Sequence, residues 1–294
     1  GYLLGKMQEL GFELKQEASL YALSCEIVKS SAIEGEVLNL SEVRSSIARR
    51  LGLEISGFIQ VSRRVDGIVE MMLDATQQYH QPLTKNRLFG WHAALFPTGR
   101  SGMHSILVGH WRDDSIMQVV SGPIGREKIH FEAPRADLLE KEMQDFINWF
   151  EQNTTVDPVL KAGIAHLWFI TIHPFEDGNG RIARAIADMA LARADNIPER
   201  FYSLSMQIEL ERKDYYYQLG KQQKSSTDIT NWLEWFLDCL GRAIMGADKI
   251  LDRVLFKSNL WKKINQRPVN ERQRLIINRM LEDDFIGFIN TSKY

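Results

Sequence analysis

Two apolar runs, Ile164 to Ile172 and Ile182 to Ala194, flank a stretch that continues neither: His173-Pro174-Phe175-Glu176-Asp177-Gly178-Asn179-Gly180-Arg181. Proline lacks a helix-interior donor and glycine weakens a helix, so the pattern predicts helix, tight loop, helix. The loop delivers its glycines to a helix N-terminus, where free backbone N–H groups and the helix dipole favour an anion. Arg181 and Arg184 add positive charge, Asp177 suits a divalent metal, and His173 stands at the mouth of the loop. Together these residue types suit a site that moves part of a nucleotide.

The rest of the chain bounds what such a site can belong to. At 294 residues it holds one large domain or two smaller ones. A net charge of −2 gives no global pull toward nucleic acid or a membrane surface. The two cysteines, Cys25 and Cys239, lie in helix-like apolar patterns and read as buried thiols in a reducing compartment, which makes a cytoplasmic location the expectation. No apolar run approaches the roughly 18 residues of a membrane span, and the first residues lack the pattern of a signal peptide. The absence of an initiator Met suggests a trimmed start.

Helical periodicity dominates. From Phe12 to Val28, Leu14, Ala18, Tyr21, Cys25 and Val28 trace an amphipathic stripe that Leu20, Leu23 and Ile27 widen. Glu34-Gly35-Glu36 breaks the pattern, and Asn39 or Ser41 can cap the next helix. Leu138 to Gln152, Val159 to Thr171 and Thr230 to Leu255 are further amphipathic segments. In the last, Trp232, Trp235, Phe236, Leu240 and Ile244 predict a core-facing stripe. Between Ser101 and Pro134, glycines and prolines punctuate short extended runs, Ile116 to Val120 and Lys128 to Phe131, which read as a hairpin-like element. After Lys257 the chain turns basic, and Arg267 to Arg272 looks like a helix entry that leads to Leu275-Ile276 and Met280-Leu281.

His173-Pro174-Phe175-x-Asp177-Gly178-Asn179-Gly180-Arg181-x-x-Arg184 resembles the signature of the Fic family, with nine fixed residue types at fixed spacing. The resemblance implies an all-α fold: a Fic-like helical core with a small β-hairpin flap. It implies three regions. Residues 1–81 would be an N-terminal helical regulatory region with an inhibitory motif, and 82–256 the Fic domain. Residues 257–294 would be the start of a winged-helix-like module that stops at Tyr294, before it could bury its own core. It also implies transfer of AMP from ATP to a Ser, Thr or Tyr hydroxyl of a target protein, and of the chain itself, with release of pyrophosphate.

In that scheme His173 is the general base. Asp177 holds Mg²⁺ or Mn²⁺. Gly178, Asn179 and Gly180 cradle the α-phosphate, while Arg181 and Arg184 take the β- and γ-phosphates. Tyr216 and Gln223 fall in a segment that resembles the family's adenosine-contacting region. Gly122, Pro123, Ile124 and Gly125 fall in the resembling flap, which aligns the target by strand addition. Ser30, Glu34 and Gly35 match the inhibitory pattern Ser/Thr-x-x-x-Glu-Gly, and Glu34 would pair with Arg184 in cis.

The expected partners are ATP and a protein with an accessible hydroxyl. Homodimerisation stays open, DNA enters only with a complete C-terminal module, and no membrane is expected. Removal of AMP, with Glu34 aligning a water, and transfer of another phosphate-containing group are alternative reactions of the same pocket. The non-enzymatic alternative is a nucleotide-sensing, DNA-binding regulator.

Overall fold

The computed structural model describes residues 12–53, 59–113, 117–121, 128–152, 155–224 and 228–281. Helices dominate it. Helix α1 (Phe12–Ile33) is followed by α2 (Leu40–Leu51), α3 (Arg63–Gln77) and α4 (Lys85–Leu95). Then come two small hairpins, β1 (Arg100–Ser101) with β2 (His104–Ser105), and β3 (Gln118–Ser121) with β4 (Lys128–Glu132). A 3₁₀ turn (Ala136–Leu138) leads into α5 (Leu139–Glu151) and α6 (Pro158–Ile172). The chain continues as α7 (Asn179–Asp195), α8 (Leu204–Leu210), α9 (Arg212–Gln222), α10 (Thr230–Ile264) and α11 (Glu271–Met280).

The centre is the antiparallel pair α6–α7. Asp157 caps α6, its carboxylate accepting from the N–H groups of Val159 and Leu160, and Pro158 takes the first helical position. Helix α7 is buried from Asn179 to Ala192 apart from Gly180, and its alanines let α6 and α3 approach closely. Phe146, Phe150 and Phe169 fill the space between α5 and α6, with Trp168 edge-on to Phe146. The Trp232 indole of α10 donates to Gly163 O of α6 at 2.8 Å, so a large apolar ring enters the core with its one donor satisfied.

Helix α1 lies on this bundle, against α2, α8 and α10. Its stripe is buried on most sides: Ala18, Ala22 and Ile27 are inaccessible. It stops at Ile33, where Gly35 turns left-handed at φ 82°. Asn39 caps α2 by accepting from Ser41 N at 2.8 Å. Cys25 and Cys239 are buried free thiols, and burial pushes the Cys239 pKa up to about 12.

The structure departs from the sequence expectations in three places. The β1–β2 hairpin was not foreseen, because two-residue strands are too short to show alternation. The expected α10 stripe ends early: Trp232, Phe236 and Leu240 are buried but Ile244 is exposed. Helix α10 also runs past Leu255 to Ile264. The hairpin expected around Ile116 to Phe131 is present as β3–β4, antiparallel and bulged between Val119 and Val120. Gly122, Pro123, Ile124 and Gly125 lie outside the described residues, as does the chain after Leu281. Among the described residues no helix is long and apolar enough to cross a membrane.

Candidate active site

The site is built where α6 ends and α7 begins. His173 closes α6 in the left-handed region (φ 51°, ψ 58°), its N–H donating to Phe169 O at 3.0 Å. A non-glycine residue held there stores strain that the surroundings must impose. Arg112 imposes it: its Nε donates to His173 O at 2.8 Å and its backbone N–H to Pro174 O at 2.9 Å. The His173 ring lies 3.2 Å, through Nδ1, from Ile170 O. A carbonyl only accepts, so Nδ1 carries the proton and Nε2 keeps its lone pair. Burial holds the His173 pKa below the usual imidazole value. The Arg112 cation acts in the same direction, against Ile170 O and the carboxylates of Glu34 and Asp177. The ring is therefore neutral at pH 7 and able to accept a proton.

The loop is fastened from inside. Phe175 is fully buried and stacks on His92 at 4.1 Å with the rings 7° from parallel. His92 receives Gly109 N at Nδ1 (3.1 Å), so its Nε2 donates to Asp177 O (3.2 Å). Burial lowers the His92 pKa to about 4, which keeps it neutral in that relay. Asn179 is used differently from the expectation. Its Oδ1 accepts from Phe175 N at 3.0 Å and its Nδ2 donates to Phe175 O at 2.7 Å. That side chain staples the loop, so the backbone N–H groups of the first α7 turn are what remain for an anion. Gly178 sits at φ 83°, and a Cβ there would meet Phe96 at 2.9 Å, so no larger residue fits.

Positive charge converges on the same turn. Arg184 is 1 % exposed. Its Nε donates to Ser30 Oγ at 2.8 Å, and Nη2 donates to both Ser30 O and Glu34 Oε1 at 2.8 Å. Arg181 donates from Nη1 to Glu36 Oε2 at 2.9 Å and lies over the Phe96 ring at 5.1 Å. Arg184 Nη1 and Arg181 Nε are buried with no hydrogen-bond partner among the described residues, so both guanidinium groups keep a donor in reserve. Asp177 Oδ2 accepts from Ser101 Oγ, and its Oδ1 accepts from Gly178 N at 2.5 Å.

Tyr216 donates its hydroxyl to Ile33 O at 3.2 Å, so it touches the end of α1. Gln223 caps α9, its N–H donating to Leu219 O at 2.9 Å. The structure thus brings His173, Asp177, Arg181, Arg184, Ser30 and Glu34 to one turn, with Tyr216 at its edge. Sequence reasoning missed Glu36, Ser101 and His92, and placed Arg112 only in the flap-like stretch Gly109-His110-Trp111-Arg112 rather than against the His173 loop. Glu36 left a trace as an acid beside the Glu34-Gly35 break.

No cluster of three or more His, Cys, Asp or Glu able to hold a metal occurs among the described residues. Asp177 still suits Mg²⁺, which commonly takes one or two carboxylates and completes its shell with phosphate oxygens and water.

The Fic/DOC family model matches residues 82–191, and the model of a domain of unknown function, DUF4172, matches residues 1–53. A protein adenylyltransferase Fic of Nematostella vectensis is 24% identical over 222 residues, which cover 74% of this chain and 47% of that protein. The protein adenylyltransferase fic-1 of Caenorhabditis elegans is 27% identical over 168 residues, 55% of this chain and 30% of that protein. The chain thus spans less than half the length of these curated relatives. Among solved structures, a Fic family protein of Desulfovibrio desulfuricans matches with a TM-score of 0.62 at 25% identity, covering 85% of this chain and 71% of that one. A Fic domain containing signaling protein of Bacteroides thetaiotaomicron matches at 0.61 and 20% identity, covering 85% and 94%. The loop between α6 and α7 lies inside the matched range, and the chain carries a Fic/DOC family domain.

Proposed function

We propose that this chain is a protein adenylyltransferase held inactive by the end of its own helix α1. One observation carries the reading: the Glu34 carboxylate lies over the first turn of α7 and pairs with Arg184. It bonds to Arg184 at 2.8 Å and rests over Gly180 in the first turn of α7, where a helix N-terminus favours negative charge. A turn whose arginine and helix dipole hold a carboxylate has the charge that a phosphate needs.

With that carboxylate withdrawn, ATP lays its phosphates along this turn. Arg181 takes the β-phosphate and Arg184 the γ-phosphate, and the N–H groups at the start of α7 hold the α-phosphate. Asp177 is the residue that would hold Mg²⁺, which neutralises phosphate charge when bound. His173 Nε2 accepts the proton of a target Ser, Thr or Tyr hydroxyl. That oxygen bonds to the α-phosphorus as the bond to the bridging oxygen of the β-phosphate breaks, and pyrophosphate leaves with its electron pair. Arg112 and Ile170 hold the imidazole in the required tautomer and place. The relatives named protein adenylyltransferase support the same reading.

The Glu34 carboxylate, held beside the first turn of α7 by Arg184, allows a second reaction. Glu34 could align a water against a bound AMP ester, so that the pocket removes AMP. Intact-mass spectrometry separates the readings. Glu34→Gly incubated with ATP, Mg²⁺ and candidate target should gain the mass of AMP on target or enzyme. No gain under these conditions, with AMP released from pre-modified target by the parent chain, would replace addition with removal.

A further inference from the structure

The turn after α1 carries two acids, and each meets a different arginine. Ser31 O accepts from both Glu34 N at 3.1 Å and Glu36 N at 3.0 Å, and Gly35 N donates to Ala32 O at 2.9 Å. The reversal needs φ 82° at Gly35. It sends Glu34 to Arg184 and Glu36 to Arg181. The two arginines are three residues apart on α7 and therefore share a face.

Arg181 is 3 % exposed in its side chain, and Glu36 Oε2 is its nearest carboxylate oxygen at 2.9 Å, against 3.7 Å to Asp177 Oδ1. The same Glu36 oxygen lies 2.7 Å from Arg64 Nη2, a half-exposed guanidinium at the start of α3. Glu36 is thus shared between a buried arginine of the phosphate site and a solvent-facing arginine outside it.

We propose that Glu36 is a second internal competitor for the nucleotide, covering Arg181 as Glu34 covers Arg184, and that Arg64 is the partner Glu36 keeps when a phosphate displaces it. The proposal rests on the nucleotide reading of the site and divides it by phosphate position. Glu34 guards the γ-phosphate position and Glu36 the β-phosphate position. The two displacements differ. A phosphate on Arg184 takes from Glu34 the ion pair it makes there. A phosphate on Arg181 leaves Glu36 paired with Arg64, so Glu36 yields first.

Titration calorimetry with AMP, ADP and ATP, in Mg²⁺ and without target, tests this on the 294-residue chain. Glu36→Gln should tighten ADP and ATP by roughly tenfold, the worth of one charge-assisted hydrogen bond, and leave AMP unchanged. Glu34→Gly should tighten ATP far more than ADP. Arg64→Ala, at an exposed position that leaves the fold intact, should weaken ADP by about threefold, because Glu36 then has only Arg181. It should have no effect once Glu36 is Gln. If Glu36→Gln leaves ADP affinity within twofold while Glu34→Gly still tightens ATP, the role of Glu36 is wrong and the nucleotide site stands. If neither variant binds any of the three nucleotides, both readings fall together.

Discussion

The Cβ that Gly180 lacks would lie 2.1 Å from Glu34 Oε1 and 2.9 Å from its Cδ. The glycine in the first turn of α7 is therefore the seat on which the Glu34 carboxylate rests while it bonds Arg184. Its helical backbone tolerates alanine; the neighbour above it does not.

Gly180→Ala should therefore push the Glu34 carboxylate, the far end of a flexible side chain, off Arg184 and destabilise the protein by about 1 kcal/mol through the weakened ion pair. With Glu34→Gly as background only Arg184 Nη1, at 3.2 Å, stays close to the new Cβ, and alanine's better helix propensity should bring the change close to zero. Urea denaturation of the four proteins of this cycle measures the coupling. Equal effects in both backgrounds would show that Glu34 does not rest on residue 180.

Glu34→Gly leaves Arg184 buried without its carboxylate. The nucleotide-free variant should lose about 2 kcal/mol, below the usual figure for a buried pair because Glu34 remains partly exposed. ATP should return more than that loss, since it binds only the folded state. Thermal melts with and without ATP should show a lower midpoint for the free variant and a larger ATP-induced rise than for the parent.

His173→Ala, made together with Glu34→Gly, should lower the rate of AMP transfer by about 10²–10⁴, the range of one general base. Calorimetric affinity for ATP should stay within twofold, because the arginines and the α7 turn are untouched. A parallel loss of ATP binding would make residue 173 a part of the loop's architecture rather than the base.

Acid should weaken the fold before it protonates ordinary carboxylates. Burial lowers the pKa of His92 to about 4 and that of His166 to about 3. An unfolded imidazole titrates near ~6.5. His173 is held low by burial as well, so below that pH the unfolded chain takes up protons that these folded histidines refuse, and stability present above about pH 6.5 is lost as pH falls. Asp188 opposes this: burial and then Glu26 raise its pKa well above the usual value, so the folded state holds that proton more tightly. His92 and His166 by themselves cost about 3 kcal/mol between pH 6.5 and pH 5, and Asp188 reduces that loss. Urea midpoints across that range should fall, and His166→Phe should flatten the slope.

A Cβ on Gly67 would approach Ala94 O to 1.8 Å, backbone against backbone where α3 crosses α4. Neither helix can yield by moving a side chain. Gly67→Ala should cost more than about 3 kcal/mol and lower the melting temperature by about five degrees or more. A circular-dichroism melt close to that of the parent would show the crossing to be looser than it stands.

The helices were legible where the signal is local. The stripe in Phe12–Val28, the Asn39 cap and the Pro–Gly loop before α7 each follow from residues within a few positions of one another. The spacing of Arg181 and Arg184 belongs to the same class, since three residues on a helix share a face whatever the fold. So does the break at Glu34-Gly35-Glu36, which ends α1 wherever that helix packs.

What the chain alone could not determine is which distant groups those local pieces would meet. Glu36 reaches Arg181 across 145 positions, and Ser30 reaches Arg184 across 154. Ser101 and His92 meet the Asp177 loop only because α4 and the β1–β2 hairpin fold over it. Asn179 looked like a ligand for phosphate because its type and place allow that, yet packing turned it onto Phe175. Backbone periodicity is written in short windows of sequence. A carboxylate's choice of arginine is a contest among charges that only the folded chain brings within 3 Å.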